Sequence, residues 1–182
     1  MRSQADLVQS PRLQALLRYW DEKCAGRRMP QRSDIDPVEI PRLLPIALLA
    51  DIAGSGPRMR ILGSEATAAY GAETRGQRAG DLRLGGFSQA WTEALSLAVD
   101  GGAPVAAAGH FDRDGQWLEA QALLTPLGDA RGEITHLFGG LTLTFQPACR
   151  RLETPRAHTL VRPAADLAGA SMARPESRIL RG

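Results

Sequence analysis

Residues 104–111 (PVAAAGHF), 116–127 (QWLEAQALLTPL) and 134–145 (ITHLFGGLTLTF) are three apolar runs of strand length. The polar turns DRDG (112–115) and GDARGE (128–133) separate them, the first carrying Asp114-Gly115, a dipeptide suited to positive φ. In the second run Leu118, Ala120, Ala122 and Leu124 fall on one face, with Trp117, Glu119 and Gln121 on the other. The third run sets Leu137, Leu141, Leu143 and Phe145 opposite His136, Thr142 and Thr144. Such period-2 alternation across consecutive hairpins predicts an antiparallel meander with one wet face. A meander cannot bury its apolar face alone, so segments upstream must cover it.

The chain has 182 residues, enough for one domain with extensions, and its 43% hydrophobic and 23% charged content suit a soluble globular protein. Aromatics make up only 5%, so the core must lean on aliphatic residues. The net charge of +2 does not by itself point to nucleic acid. It is uneven: the part from Gln146 onward carries +4, from seven Arg and three acids, which leaves −2 for residues 1–145. Cys24 and Cys149 are the only cysteines and have no metal spacing, which fits a reducing compartment. No secretory signal opens the chain and no window holds the roughly 20 apolar residues of a membrane helix, so a cytoplasmic protein with no membrane partner is expected.

Upstream of the meander, Ser10-Pro11 starts a helix through Ala25, with Leu13, Leu16, Leu17, Trp20 and Cys24 on one face and Gly26 as its stop. The stripe can pack back on the sheet or meet a second chain. The expectation here is a homodimer interface of Leu13, Leu16, Leu17 and Trp20, in a helical extension over residues 1–29. Asp36-Pro37, with Glu39 placed to bond back, predicts a capped helical turn that Pro41 cuts short. Strands follow at 46–52 and 58–62 around the turn Gly54-Ser55-Gly56-Pro57, then a short helix from Ser64 to Tyr70 stopped by Gly71. Residues 71–86 read as loops and short turns. Phe87, Ala90, Trp91, Ala94, Leu95, Ala98 and Val99 mark the best helix, ended by Gly101-Gly102. From Gln146 on, an Arg- and Pro-rich tail cannot bury enough surface to offset its ordering entropy and is expected to be disordered, with a weak helical segment at 164–172 and a short docking motif at Ile179-Leu180.

This order of elements resembles a PAS domain, an α+β fold with a five-stranded antiparallel sheet covered on one face by helices. Residues 19–52, 58–76 and 102–129 are similar to a bacterial PAS-like family of unknown function best represented in alphaproteobacteria. The shared marks are Tyr19-Trp20, the DIDP segment Asp34 to Pro37, Arg60-x-x-Gly63, Gly102-x-Pro104-Val105 and Pro126-Leu127. The likeness spans residues 13–145, with the domain itself over 30–145. It implies a sensory or regulatory module that binds small molecules between helices and sheet, dimerises and signals to protein partners. Nothing resembling a kinase, cyclase or DNA-binding output follows the sheet.

The resemblance and the residues together nominate a ligand pocket of Met59, Tyr70 and Trp91, with Arg60 and Arg75 able to face an anionic ligand. Core packing and surface pairing are the competing readings of these side chains. Asp34 and Asp36 are too few for a metal site, and Asp36 is better explained as a helix cap. A heme ligand would have to be His110, His136 or His158, none on the helical segment where heme-binding PAS domains hold theirs. Residues 53–102 lack the cysteine of a light-sensing flavin site, so the cofactor stays unassigned. No nucleophile elbow, phosphate loop or paired metal histidines points to an enzyme. The reading is a non-enzymatic signal-transduction protein acting by small-ligand binding, protein–protein interaction or both. An enzyme of unrecognised class and a nucleic-acid-associated protein acting through the tail are the competing classes; the tail's dispersed Arg lack an aromatic platform.

Overall fold

The computed structural model describes residues 10–113, 115–145 and 162–163. Its elements are α1 (Pro11–Cys24), β1 (Ala47–Ala53), β2 (Gly56–Leu62), α2 (Ser64–Tyr70), α3 (Ser88–Gly101), β3 (Val105–Arg113), β4 (Gln116–Gly128), β5 (Ile134–Phe145) and the two-residue β6 (Arg162–Pro163). The five long strands form the antiparallel sheet that the alternation predicts, in the order β2-β1-β5-β4-β3, and β6 adds to the β3 edge. Residues 116–127 are strand throughout, in register Leu118↔Phe145 to Leu127↔His136 with β5. The rest of the tail, including the expected segments at 164–172 and Ile179-Leu180, lies outside the described residues, as do Cys149 and His158.

One face of the sheet, here the inner face, carries Leu48, Ala50, Met59, Leu118, Ala120, Ala122, Leu124, Leu137 and Leu141. They pack against Trp91, Ala94, Leu95 and Ala98 of α3, Ala66 and Ala69 of α2, and Leu82, Leu84 and Phe87 between the helices. The opposite face is not the open, wet surface that the meander's polar positions predict. There Ala106, Leu123, Leu127 and Phe138 form a second core with Leu13, Leu16, Tyr19, Trp20 and Cys24 of α1 and with Met29, Ile35, Ile40 and Ile46. The stripe of α1 is therefore spent within its own chain. Leu13 and Leu16 have no exposed surface and Trp20 only 5%, so of the four residues assigned to a dimer interface Leu17 alone stays half-buried. The division at residue 29 likewise runs through this core, with Cys24 and Met29 on one side and Ile35 on the other.

Two glycines make these layers fit. A Cβ on Gly140 in β5 would stand 2.7 Å from the methyls of Leu13 and Leu16, so α1 lies directly on this bare stretch of strand. A Cβ on Gly63, which caps α2, would stand within 2.5 Å of the backbone oxygens of Pro45 and Leu44. Backbone cannot swing aside as a side chain can. Gly63→Ala therefore lowers stability by about 1–3 kcal/mol, the range for overpacking, whereas Gly54→Ala, with open space around it, serves as control. Urea midpoints of the two variants check this.

Candidate functional site

The space between the inner face and the helices is where the pocket residues were expected, and it is filled by protein. Met59 is fully buried and Trp91 is 1% exposed, its indole Nε1 donating to the Ala79 carbonyl at 2.6 Å. Phe87 packs beside Trp91 with ring centroids 6.4 Å apart. Trp91 is thus core, and cutting it back disturbs the fold itself. Tyr70 is half-buried, and its hydroxyl accepts from the Arg83 backbone N–H at 3.2 Å. Arg60 does not join these residues. It is exposed on the opposite face, where its Nε lies 3.0 Å from Asp51 Oδ2. Arg75 is exposed as well, its backbone N–H bonded to Glu73.

A cleft of about 280 Å³ opens at the rim, between the β1–β2 turn and α3. Leu95 and Val99 give it an apolar side, and Arg78, Asp81, Ser96 and Asp100 a polar one. Its volume falls just under the ~300 Å³ lower bound for small-molecule sites.

On the outer face the DIDP segment proves to be a clamp on α1. The Tyr19 hydroxyl accepts from the Asp36 backbone N–H at 2.9 Å and donates to Glu39 Oε2 at 2.8 Å. Glu39 also pairs with Lys23 of α1 at 2.6 Å. Asp36 caps its turn as expected, accepting from the Val38 N–H at 2.9 Å, but Glu39 does not bond back to it because Tyr19 takes that role. The reciprocal capping pair lies one turn earlier, between Gln31 and Asp34, and Arg27 holds Asp34 at 2.6 Å. The Gln31 N–H and then Arg27 draw the Asp34 carboxyl below its ordinary pKa; Lys23 and then Tyr19 do the same for Glu39. Trp20 Nε1 donates to the Pro126 carbonyl at 2.8 Å, so Tyr19-Trp20, DIDP and Pro126-Leu127 meet in one contact network. Asp34 and Asp36 are structural.

Beyond this clamp, register sets Leu127, His136, Asp51, Arg58 and Arg78 in one row across the outer face. His136 Nε2 lies 3.5 Å from Asp51 Oδ1 and Nδ1 lies 2.9 Å from Thr135 Oγ1. Burial lowers the His136 pKa, opposed by Asp51 and aided by Arg32 and Arg60. His110 stands opposite Glu119, with its ring in edge contact with Trp117 at 6.3 Å and its buried Nδ1 unpartnered among the described residues. Both histidines belong to the outer face, away from the helix-covered interior. Arg78 was hidden in loop 71–86, which shows no period and is marked only by its Gly and Arg richness, while Arg58 opens the expected strand 58–62 with nothing in its neighbours to single it out.

The PAS domain family model matches residues 8–142. No curated protein matches. Among solved structures, the PAS domain of Bordetella pertussis BvgS is 18% identical with a TM-score of 0.46, over 65% of this chain and 93% of that one. A Vibrio cholera VqmA–ligand–DNA complex is 14% identical with a TM-score of 0.46, over 60% of this chain. An RNA-binding light-oxygen-voltage receptor is 17% identical with a TM-score of 0.44, over 63% of this chain. The match spans 51% of the VqmA chain and 35% of the receptor chain.

The clamp and the row each predict a measurement. Tyr19→Phe strands the Asp36 N–H and removes a donor from Glu39, a loss of about 1–3 kcal/mol for a group left unsatisfied, seen as a lower denaturation midpoint. For His136 the folded chain takes up a proton less readily than the unfolded chain. Its contribution is present above pH ~6.5 and is lost as pH falls below that value. Urea midpoints between pH 8 and 5 decline accordingly, and His136→Asn flattens the decline.

Proposed function

Because the chain belongs to the PAS domain family, we propose that it is a non-enzymatic regulatory module of signal transduction that acts chiefly through a protein partner. The observation that carries this is the filled interior. Where a ligand would sit between helices and sheet, Met59, Leu84, Phe87, Trp91, Leu118 and Leu124 pack with at most 1% exposure. A ligand there would have to displace close-packed side chains, against the low compressibility of such cores. Function then rests on the surfaces that the two cores hold in shape. A cytoplasmic setting suits Cys24, a buried free thiol whose pKa burial pushes up to about 11.

The rim cleft favours a second reading, sensing of a small polar ligand by Arg78, Asp81 and Asp100 above Leu95 and Val99. Self-association through the remaining surface of α1 belongs to the first reading, with Leu17 as its apolar contact. Light scattering at tens of micromolar tests it: a dimer that Leu17→Glu dissociates supports it, and a monomer removes it.

Native mass spectrometry of protein purified from its own host, with absorbance recorded on the same sample, separates the two readings. The polypeptide mass without a retained ligand is expected. A ligand retained by the native chain and lost on Arg78→Ala selects the cleft instead. Trp91→Ala lowers stability by about 3–5 kcal/mol, as for large core truncations, and a variant as stable as the native chain contradicts the filled core.

A further inference from the structure

The β2 edge of the outer face gathers positive charge around one carboxylate. Arg58 is directly opposite Asp51 on one side and Arg78 on the other, and residues directly opposite in an antiparallel pair project to the same face. The β1–β2 register passes from Leu49↔Ile61 to Ala50↔Met59, leaving Arg60 as the extra residue of a bulge. Arg60 and Ile61, though consecutive, therefore both serve this face: Arg60 reaches Asp51 at 3.0 Å and Ile61 stands beside half-buried Leu49. Two like charges directly opposite destabilise a sheet. Arg58 hydrogen-bonds to the Gly76 carbonyl at 3.1 Å, and neither it nor Arg78, which also borders the rim cleft with Asp81 and Asp100, makes an ion pair among the described residues. Asp51 is shared by Arg60 and His136. Ile61 is 51% exposed next to this cluster.

We infer that this edge is an interaction surface for an acidic peptide segment of a partner protein, its carboxylates paired with Arg58 and Arg78 and an apolar side chain laid on Ile61. The clustering is local, since residues 1–145 carry a net −2. Nucleic acid fits less well, because the exposed Trp117 is on β4, three strands further across the sheet, and no aromatic platform accompanies the arginines among the described residues. This assignment rests on reading the domain as a protein-binding module and gives that partner its chemistry.

The test is fluorescence anisotropy of the full chain with a labelled peptide of Glu-Glu-Leu repeats, against a Lys-Lys-Leu peptide and a single-stranded DNA oligonucleotide. The acidic peptide alone is expected to bind, more weakly as salt rises and the charges are screened. Arg58→Glu/Arg78→Glu weakens it about tenfold or more. Arg18→Glu/Arg83→Glu, equal in charge change and outside the patch, leaves it unchanged. Ile61→Ser, which alters no charge, weakens it severalfold and keeps the test open should the double reversal fail to fold. Native-like affinity in both patch variants, or tighter binding of the oligonucleotide, overturns the assignment. A flat titration with native protein that carries no retained ligand overturns the acidic partner while leaving the protein-contact reading standing. A retained ligand overturns that reading itself.

Discussion

The seating of α1 on Gly140 is the contact from which the rest of the outer face follows. With no side chain at this position, Leu13 and Leu16 come down to the β5 backbone, and the helix lies close enough for Trp20 to reach the Pro126 carbonyl. Burial of large aliphatic side chains is worth about 1.5–3 kcal/mol each relative to exposure. The gain is realised within one chain. Once α1 is fixed, Tyr19 presents its hydroxyl to the DIDP segment, and that segment covers the strip of sheet beside the helix.

This seating also marks the limit of what the sequence could tell. The strand alternation in residues 104–145 was legible because each side chain's face follows from its parity, and the helix starts at Pro11 and Ser64 followed from local stereochemistry. The destination of the α1 stripe was not legible, since Leu13, Leu16 and Trp20 look alike whether they meet a sheet or another helix. Asp36 was legible as a cap because Val38 is near in sequence, while the partner of Glu39 proved to be Tyr19, twenty residues away. Of the pocket residues, Met59 and Trp91 face the helix side, but as packing. Arg60 follows Met59 directly in β2, so ordinary alternation already turns it away from Met59 to the opposite face, and the bulge only keeps Ile61 on that face beside it.

A PAS domain with two cores has little interior left to give a ligand, and its polar residues are correspondingly engaged. Tyr19, Asp34, Asp36 and Glu39 hold the N-terminal helix and its strap in place. What remains unspent is at the periphery: the rim cleft, the arginines of the β2 edge, and the Trp117–His110 pair at the far end of the outer face. Each is backed by a rigid layer, which lets a surface act as a specific contact without rearranging on binding.

The sheet's two margins carry a different consequence, one for the protein's company with itself. An unpaired edge strand is a template on which another molecule's strand can add, the first step of aggregation. At one margin residues 76–77 take up the Met59 backbone, with Met59 N–H bonded to the Gln77 carbonyl at 2.9 Å and Gly76 N–H to the Met59 carbonyl at 2.7 Å. At the other, Arg162–Pro163 lies along Val105 and Ala106, and Pro163 has no N–H to offer a further strand. Both stops are short among the described residues, residues 76–78 at one margin and Arg162–Pro163 at the other, so each terminates the sheet without enlarging the fold. Crowded in a cell with many copies of itself, such a chain is protected from stacking edge to edge by short pieces of its own backbone.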